Sequence, residues 1–205
     1  MANYSMLLNI TGKSALVVGG GKIACRRTLG LLEAGAKVTV ISPEIHEQLE
    51  DLWNKNQLIW NRKTFESDDV EDALIVVAAT SDSIVNQFVA DCVGPNTLLN
   101  IVDHPERSTF QVPAVFTRGD LTISVATGGA SPMLSRMICT ELGEKYDNSY
   151  TTYLQFLGNV RRFIKQLNID ESTKKLCLQE ITNESYRKSV EKQQSFLYYL
   201  KKIIE

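Results

Sequence analysis

The sequence predicts an α/β fold: a doubly wound parallel sheet first, then a short hairpin, then helices alone. Three observations predict it. From Ser14 to Arg27 a short apolar, β-branched run breaks into Gly19, Gly20 and Gly21 and continues with helical periodicity through Ile23, Ala24, Leu29, Leu31 and Leu32. Apolar strand-like runs then alternate with helical stretches as far as Val102, the pattern of a sheet covered on both faces. Beyond Glu141 the β signal fades, and residues Tyr150 to Leu167, Thr173 to Ile181 and Tyr186 to Ile204 are amphipathic at helical spacing, anchored by Phe156, Phe163 and Phe196.

Taken in order, Met6 to Ile10 reads as a short edge strand or a loop packed on the sheet, ending in the polar turn Thr11-Gly12-Lys13. The first strand begins at Ser14, and its helix stops at Gly35. Lys37 to Ile41 alternates as the second strand. Pro43 suits a first helical turn, which predicts a helix from there to about Asn54. Leu58 to Trp60 is a third strand, Thr64 to Asp72 an acidic connection, and Ala73 to Ala79 a strand buried on both faces. A helix from Ser83 to Val93 turns Val85, Phe88 and Val89 inward, and Leu98 to Val102 is the fifth strand. Phe110 to Phe116 and Leu121 to Ala126 form an antiparallel hairpin. Thr127 to Pro132 is a glycine-rich loop with Ser131 at the N-cap and Pro132 at the first helical position.

The candidate chemistry lies at the carboxyl ends of the strands, where ligands bind in open α/β sheets. Gly19-x-Gly21-x-x-Ala24 is a dinucleotide fingerprint. One glycine makes the turn, the next lets a pyrophosphate approach the backbone, and the small third residue lets helix and strand pack closely. Lys22 and Ile23 complete the helix start, whose free N–H groups favour phosphate. The second strand ends in Ser42 and Pro43, so the acid that usually bonds the adenosine ribose is missing. Ser42 is left to bond a ribose hydroxyl, or Glu44 to reach back; no arginine stands at that strand end for a 2′-phosphate, and the reading leans to NAD. Thr80 stands with Ser81 at the fourth strand end, and Thr80, with Asn86 in the helix that follows, is a candidate cofactor contact. Asp103 and His104 follow the fifth strand; Asp103 is a general base if burial raises its pKa, or merely a cap on the following loop. The Thr127 to Ser131 loop, with Gly128 and Gly129, is either a second anion site or a plain capped turn. His46 falls on a surface helix.

Composition excludes several classes. A net charge of −2 over 205 residues gives no cause to expect nucleic acid or an anionic membrane as partner. No apolar run approaches the roughly 20 residues that span a bilayer, and the N-terminus lacks the basic start and apolar core of a signal peptide, so a cytoplasmic location is expected. Cys25, Cys92, Cys139 and Cys177 form no C-x-x-C pair, which argues for free thiols and against zinc or disulfides. The basic tail residues Arg161, Arg162, Lys165, Lys174 and Lys175 read as a solvated face, with a lip for an acidic substrate as the alternative.

Leu16 to Arg27, Leu32 to Ala36, Ala78 to Asp82 with Val85 and Asn86, Asn100 to Asp103, Phe110 to Ala114 and Thr127 to Pro132 together resemble the precorrin-2 dehydrogenase family of the sirohaem-synthase type. The resemblance implies a Rossmann-type doubly wound parallel sheet in residues 1–109 that binds NAD, a dimerisation segment in 110–146 and a small all-helical C-terminal domain in 147–205. It implies an intertwined homodimer that oxidises the tetrapyrrole precorrin-2 to sirohydrochlorin, with Asp103 as base, His104 or Ser124 assisting, and Thr127, Gly128, Gly129 and Ser131 at the substrate. Some members also insert iron, and a bifunctional dehydrogenase and ferrochelatase, or a non-catalytic NAD-sensing module, are the alternatives.

Overall fold

A computed structural model describes residues 4–204; Met1 to Asn3, part of the N-terminus read above, lie outside it. The chain divides into two compact units that meet in sequence between Gln111 and Val112.

The first unit is built on a parallel sheet of β1 (Ser14–Val18), β2 (Lys37–Ile41), β3 (Ile59–Asn61), β4 (Ile75–Ala78) and β5 (Leu98–Ile101), ordered β3-β2-β1-β4-β5. Val17 stands in register with Val40 on one side and Val77 on the other. Because successive side chains point to opposite faces, a strand covered on both sides must be apolar throughout. Ala15, Val17, Val40 and Val77 pack with Ala24 and Cys25 of α1 (Lys22–Glu33) and Leu49 of α2 (Glu47–Asn54). Leu16, Val18, Val76 and Ile101 pack on the other face with Val89 of α3 (Ser83–Cys92).

Most strand limits agree with the sequence reading to within a residue or two; three local expectations do not. Pro43 does not open a helix. The segment from Ser42 to His46 instead crosses the glycine turn, with the His46 N–H on the Gly20 carbonyl at 2.7 Å, and α2 begins only at Glu47 with His46 as its N-cap. Phe88 is 46% exposed rather than inward, and meets Phe65 edge-on at 5.6 Å. Residues Met6 to Leu8 form no strand and are exposed, while Ile10 alone of that run is buried.

In the second unit β6 (Ala114–Arg118) and β7 (Leu121–Val125) pair antiparallel, with Phe116 opposite Ile123. Gly119 turns the hairpin at φ 54°, a value that favours glycine. The hairpin lies against α4 (Pro132–Lys145). α5 (Ser149–Gln166) lays Tyr153, Phe156, Val160 and Ile164 along one stripe, closed over by Ile181 and by Leu200 of α8 (Val190–Ile204). The Tyr153 hydroxyl donates to the Ile181 carbonyl at 2.8 Å, so its polar end is satisfied inside the cluster. α6 (Glu171–Glu180) and α7 (Glu184–Lys188) bridge the two long helices in sequence. The last helix expected from Tyr186 onward is broken at Ser189, whose extended backbone and hydroxyl, accepting the Lys192 N–H at 3.2 Å, begin a new helix.

Phe156→Ala removes the ring at the centre of this cluster. Chemical denaturation followed by far-ultraviolet circular dichroism is expected to show a loss of about 3–5 kcal/mol.

Candidate active site

Gly19, Ser42, Thr80 and Asp103 stand at or just beyond the carboxyl ends of β1, β2, β4 and β5, along one edge of the sheet. The glycine turn is fixed by its neighbours. Gly19 donates to the Ile41 carbonyl at 2.9 Å and sits at φ 120°, and a Cβ there would lie 2.5 Å from the Ala79 oxygen. A Cβ on Gly20 would fall 1.9 Å from the Glu44 carbonyl oxygen. Gly21 differs: a Cβ there would meet nothing within 4 Å.

Gly21 is the N-cap of α1, and no side chain caps this helix. The N–H groups of Lys22, Ile23 and Ala24 precede the first intrahelical bond, from Cys25 N–H to the Gly21 carbonyl at 2.9 Å. They have no hydrogen-bond partner among the described residues and stand at the positive end of the helix dipole, an arrangement that suits a pyrophosphate. Ala24 is fully buried and keeps the helix close to the sheet, while Lys22 and Ile23 are exposed. Cys25 behind it is buried, and burial pushes its thiol pKa up, which disfavours a nucleophilic thiolate.

Just past β2, Ser42 is braced by its neighbour strand. Its N–H donates to Asn61 O at 3.3 Å and its carbonyl accepts the Trp60 indole N–H at 2.9 Å. The next carbonyl, of Pro43, accepts Arg62 Nε at 3.2 Å. An arginine does therefore reach the end of β2, supplied from just past β3, where a reading of β2 alone could not place it.

Asn86 links the other two strand ends. It is fully buried, and its Oδ1 accepts the Thr80 N–H at 3.0 Å and the Thr80 hydroxyl at 2.8 Å. Its Nδ2 donates to the Thr80 carbonyl at 3.2 Å and to Asp103 Oδ1 at 3.0 Å. With every polar atom engaged and no exposed surface, Asn86 positions Thr80 and Asp103 and does not face a ligand itself. Asp103 is exposed, so the burial that the sequence reading asked of it is absent. His104 turns instead to Glu106, Nδ1 to Oε1 at 3.0 Å. Its own backbone N–H, and then the His104 ring, hold the Glu106 carboxyl below the usual carboxylate range.

In the second unit Ser124 is exposed on β7 opposite Val115. Gly128 and Gly129, at φ 61° and 86°, form a tight turn closed by the Ala130 N–H on the Thr127 carbonyl at 3.0 Å. The Thr127 hydroxyl donates to the Ser131 carbonyl at 3.1 Å and accepts the Ser131 N–H at 3.2 Å, and Ser131 Oγ caps the Leu134 N–H at 3.2 Å. Both side chains are thus spent within the loop.

A cavity of about 330 Å³ lies elsewhere on the sheet, reaching Ser14 and Ala73 at the amino ends of β1 and β4 and lined by Asp68, Asp69, Glu71 and Asp72. Its acidity disfavours phosphate, and the uncapped helix start is the better phosphate site. Among the described residues no helix is long and apolar enough to cross a membrane, and no cluster of His, Cys, Asp or Glu is placed to hold a metal ion.

Comparison with known proteins bears on this geometry directly. A family model for NAD(P)-binding domains matches residues 6–114, and one for the SirC C-terminal domain matches residues 150–196. The precorrin-2 dehydrogenase of Priestia megaterium is 39% identical over 97% of this chain and 98% of its own length. The chain belongs to the precorrin-2 dehydrogenase family. A solved structure of that family, a SirC precorrin-2 dehydrogenase, superposes with a TM-score of 0.85 at 39% identity, covering 98% of this chain and 100% of its own. The siroheme synthase of Nitrosococcus oceani is 35% identical over 81% of this chain, which spans 36% of that longer protein. The precorrin-2 dehydrogenase fold thus carries an NAD(P)-binding domain where the uncapped glycine turn lies.

Sequence reasoning singled out Gly19, Gly21, Ala24 and Asp103 at these strand ends but passed over Gly20, Trp60 and Arg62, which the structure places beside them. The only signal for Gly20 was a third consecutive glycine; for Arg62 it was a basic residue directly after the strand that neighbours β2.

Two outcomes are expected. Gly20→Ala costs about 1–3 kcal/mol of stability in a denaturant titration through its clash with Glu44, whereas Gly21→Ala leaves stability within about 0.5 kcal/mol and weakens dinucleotide binding. Asn86→Leu strands the Thr80 N–H and is expected to cost about 1–3 kcal/mol by the same measurement.

Proposed function

We infer that this chain is a precorrin-2 dehydrogenase, oxidising precorrin-2 to sirohydrochlorin on the route to sirohaem with NAD as acceptor. The observation that carries the reading is the match over almost the whole of both chains to a protein of that activity, with the uncapped glycine turn in the matched NAD(P)-binding domain.

When bound, the dinucleotide supplies a hydride acceptor. Gly19, Gly21, Lys22, Ile23 and Ala24 hold its pyrophosphate through backbone N–H groups and the helix dipole, and Ser42 and Pro43 border its adenosine ribose. Dehydrogenation also releases a proton. Asp103 is the proposed base, its carboxylate held by Asn86 Nδ2 and open to substrate because it is exposed. His104 and Ser124 are proposed to assist, and the Thr127 to Ser131 loop to contact the polycarboxylated substrate through the backbone of Gly128 and Gly129. Thr127 and Ser131 themselves serve by holding that loop's shape.

The protein is further proposed to act as a cytoplasmic homodimer. Val115 on β6 and Met133 and Met137 on α4 are each half-exposed or more, leaving apolar area on the second unit that a second copy would cover.

Purified protein given NAD and precorrin-2 is expected to generate the sirohydrochlorin absorption spectrum, and Asp103→Asn to slow this about a hundredfold while NADH still binds. Undiminished turnover in the Asn variant removes Asp103 as base. Absence of turnover in the unaltered protein removes the dehydrogenase reading.

A further inference from the structure

We propose that Arg62 receives a 2′-phosphate on the adenosine ribose, so that this chain takes NADP as well as NAD. The proposal rests on the reading of the crevice as a nicotinamide dinucleotide site, and it names a residue that decides between the two cofactors.

Discrimination against NADP ordinarily comes from an acid at the end of the second strand, which bonds the ribose hydroxyls and repels a phosphate; an arginine there reverses the choice. Here the acid is absent and Ser42, with an uncharged hydroxyl, stands in its place. The cation is present, but it arrives from the adjacent strand. Arg62 Nε donates to the Pro43 carbonyl at 3.2 Å, one residue past Ser42, and the guanidinium lies over the Trp60 ring, its central carbon 5.6 Å from the ring centroid. Trp60 is itself pinned, by its bond to the Ser42 carbonyl at 2.9 Å and by edge contact with Trp53 at 5.3 Å.

These contacts spend one of the guanidinium's donors and fix its plane. Nη1 and Nη2 have no hydrogen-bond partner among the described residues, and the side chain is exposed. A guanidinium so oriented presents the paired donors that suit a phosphate. The neighbouring Lys63 offers no substitute, since its ammonium is paired with Glu66 at 2.7 Å and Asp69 at 2.9 Å. Glu44 is the carboxylate nearest in sequence to Ser42. Its carbonyl is turned onto Gly20 and its residue is exposed, so its charge is screened by solvent rather than buried beside Ser42.

The test is calorimetric titration of the full chain with NAD and with NADP. Dissociation constants within about tenfold of each other are expected, where an acid at the strand end would separate them further. In Arg62→Leu the ratio of the NADP constant to the NAD constant is expected to rise at least about tenfold, the size of one charge-assisted hydrogen bond. Arg62→Lys keeps the charge and recovers part of that ratio, and added salt weakens NADP more than NAD.

A purely structural role for Arg62, bracing the Pro43 carbonyl, moves both constants together and leaves the ratio alone; that result overturns the proposal. So does binding of NAD with no detectable binding of NADP, which leaves the dehydrogenase reading intact. Binding of neither cofactor overturns the dinucleotide site itself, and the proposal with it.

Discussion

The packing of the Glu44 carbonyl against Gly20 is the contact on which the site depends. It needs a residue without a Cβ in the middle of the turn, and it draws the exit of β2 across the exit of β1. The His46 N–H then closes onto the Gly20 carbonyl, which holds residues 42–46 out of a helix and delays α2 to Glu47. The same crossing sets the Ser42 and Pro43 carbonyls where Trp60 and Arg62 meet them. A turn that looks like a property of β1 and α1 is therefore a junction of three strands.

Two glycine-rich helix starts occur in the chain, and they are used in opposite ways. At α4 the loop is closed on itself: the Thr127 hydroxyl bonds the Ser131 backbone, the Ser131 hydroxyl caps the helix, and the paired glycines make the turn. At α1 nothing caps the helix and the donors are left free. Free donors at a helix end are a cost unless something external accepts from them. The difference between an open and a closed helix start is thus carried by hydroxyl side chains, present at α4 and absent at α1.

The parts of the fold legible in the sequence were those decided locally. β1 and β4 could be read because burial on both faces leaves unbroken apolar runs, β2 because its residues alternate, and the Ser131 cap because it is a short-range bond. The helix expected at Pro43 failed because Gly20, on the far side of β2 in the chain, overrode a local preference, and the long final helix failed because Ser189 caps a new helix rather than continuing the old one. In the site, strand-end position singled out Asp103 and Thr80, but their link through Asn86 depends on β4 and β5 lying side by side. Arg62 was invisible for the same reason: its meaning comes from β3 lying next to β2.

Both tryptophans of the chain, Trp53 and Trp60, belong to the first unit, and Trp60 is bonded to Ser42, just past the carboxyl end of β2. The second unit holds tyrosine and phenylalanine but no indole. Indole emission, excited to the red of tyrosine, is therefore a native optical reporter of the strand ends around Ser42, one that needs no attached dye and to which the second unit contributes no emitter.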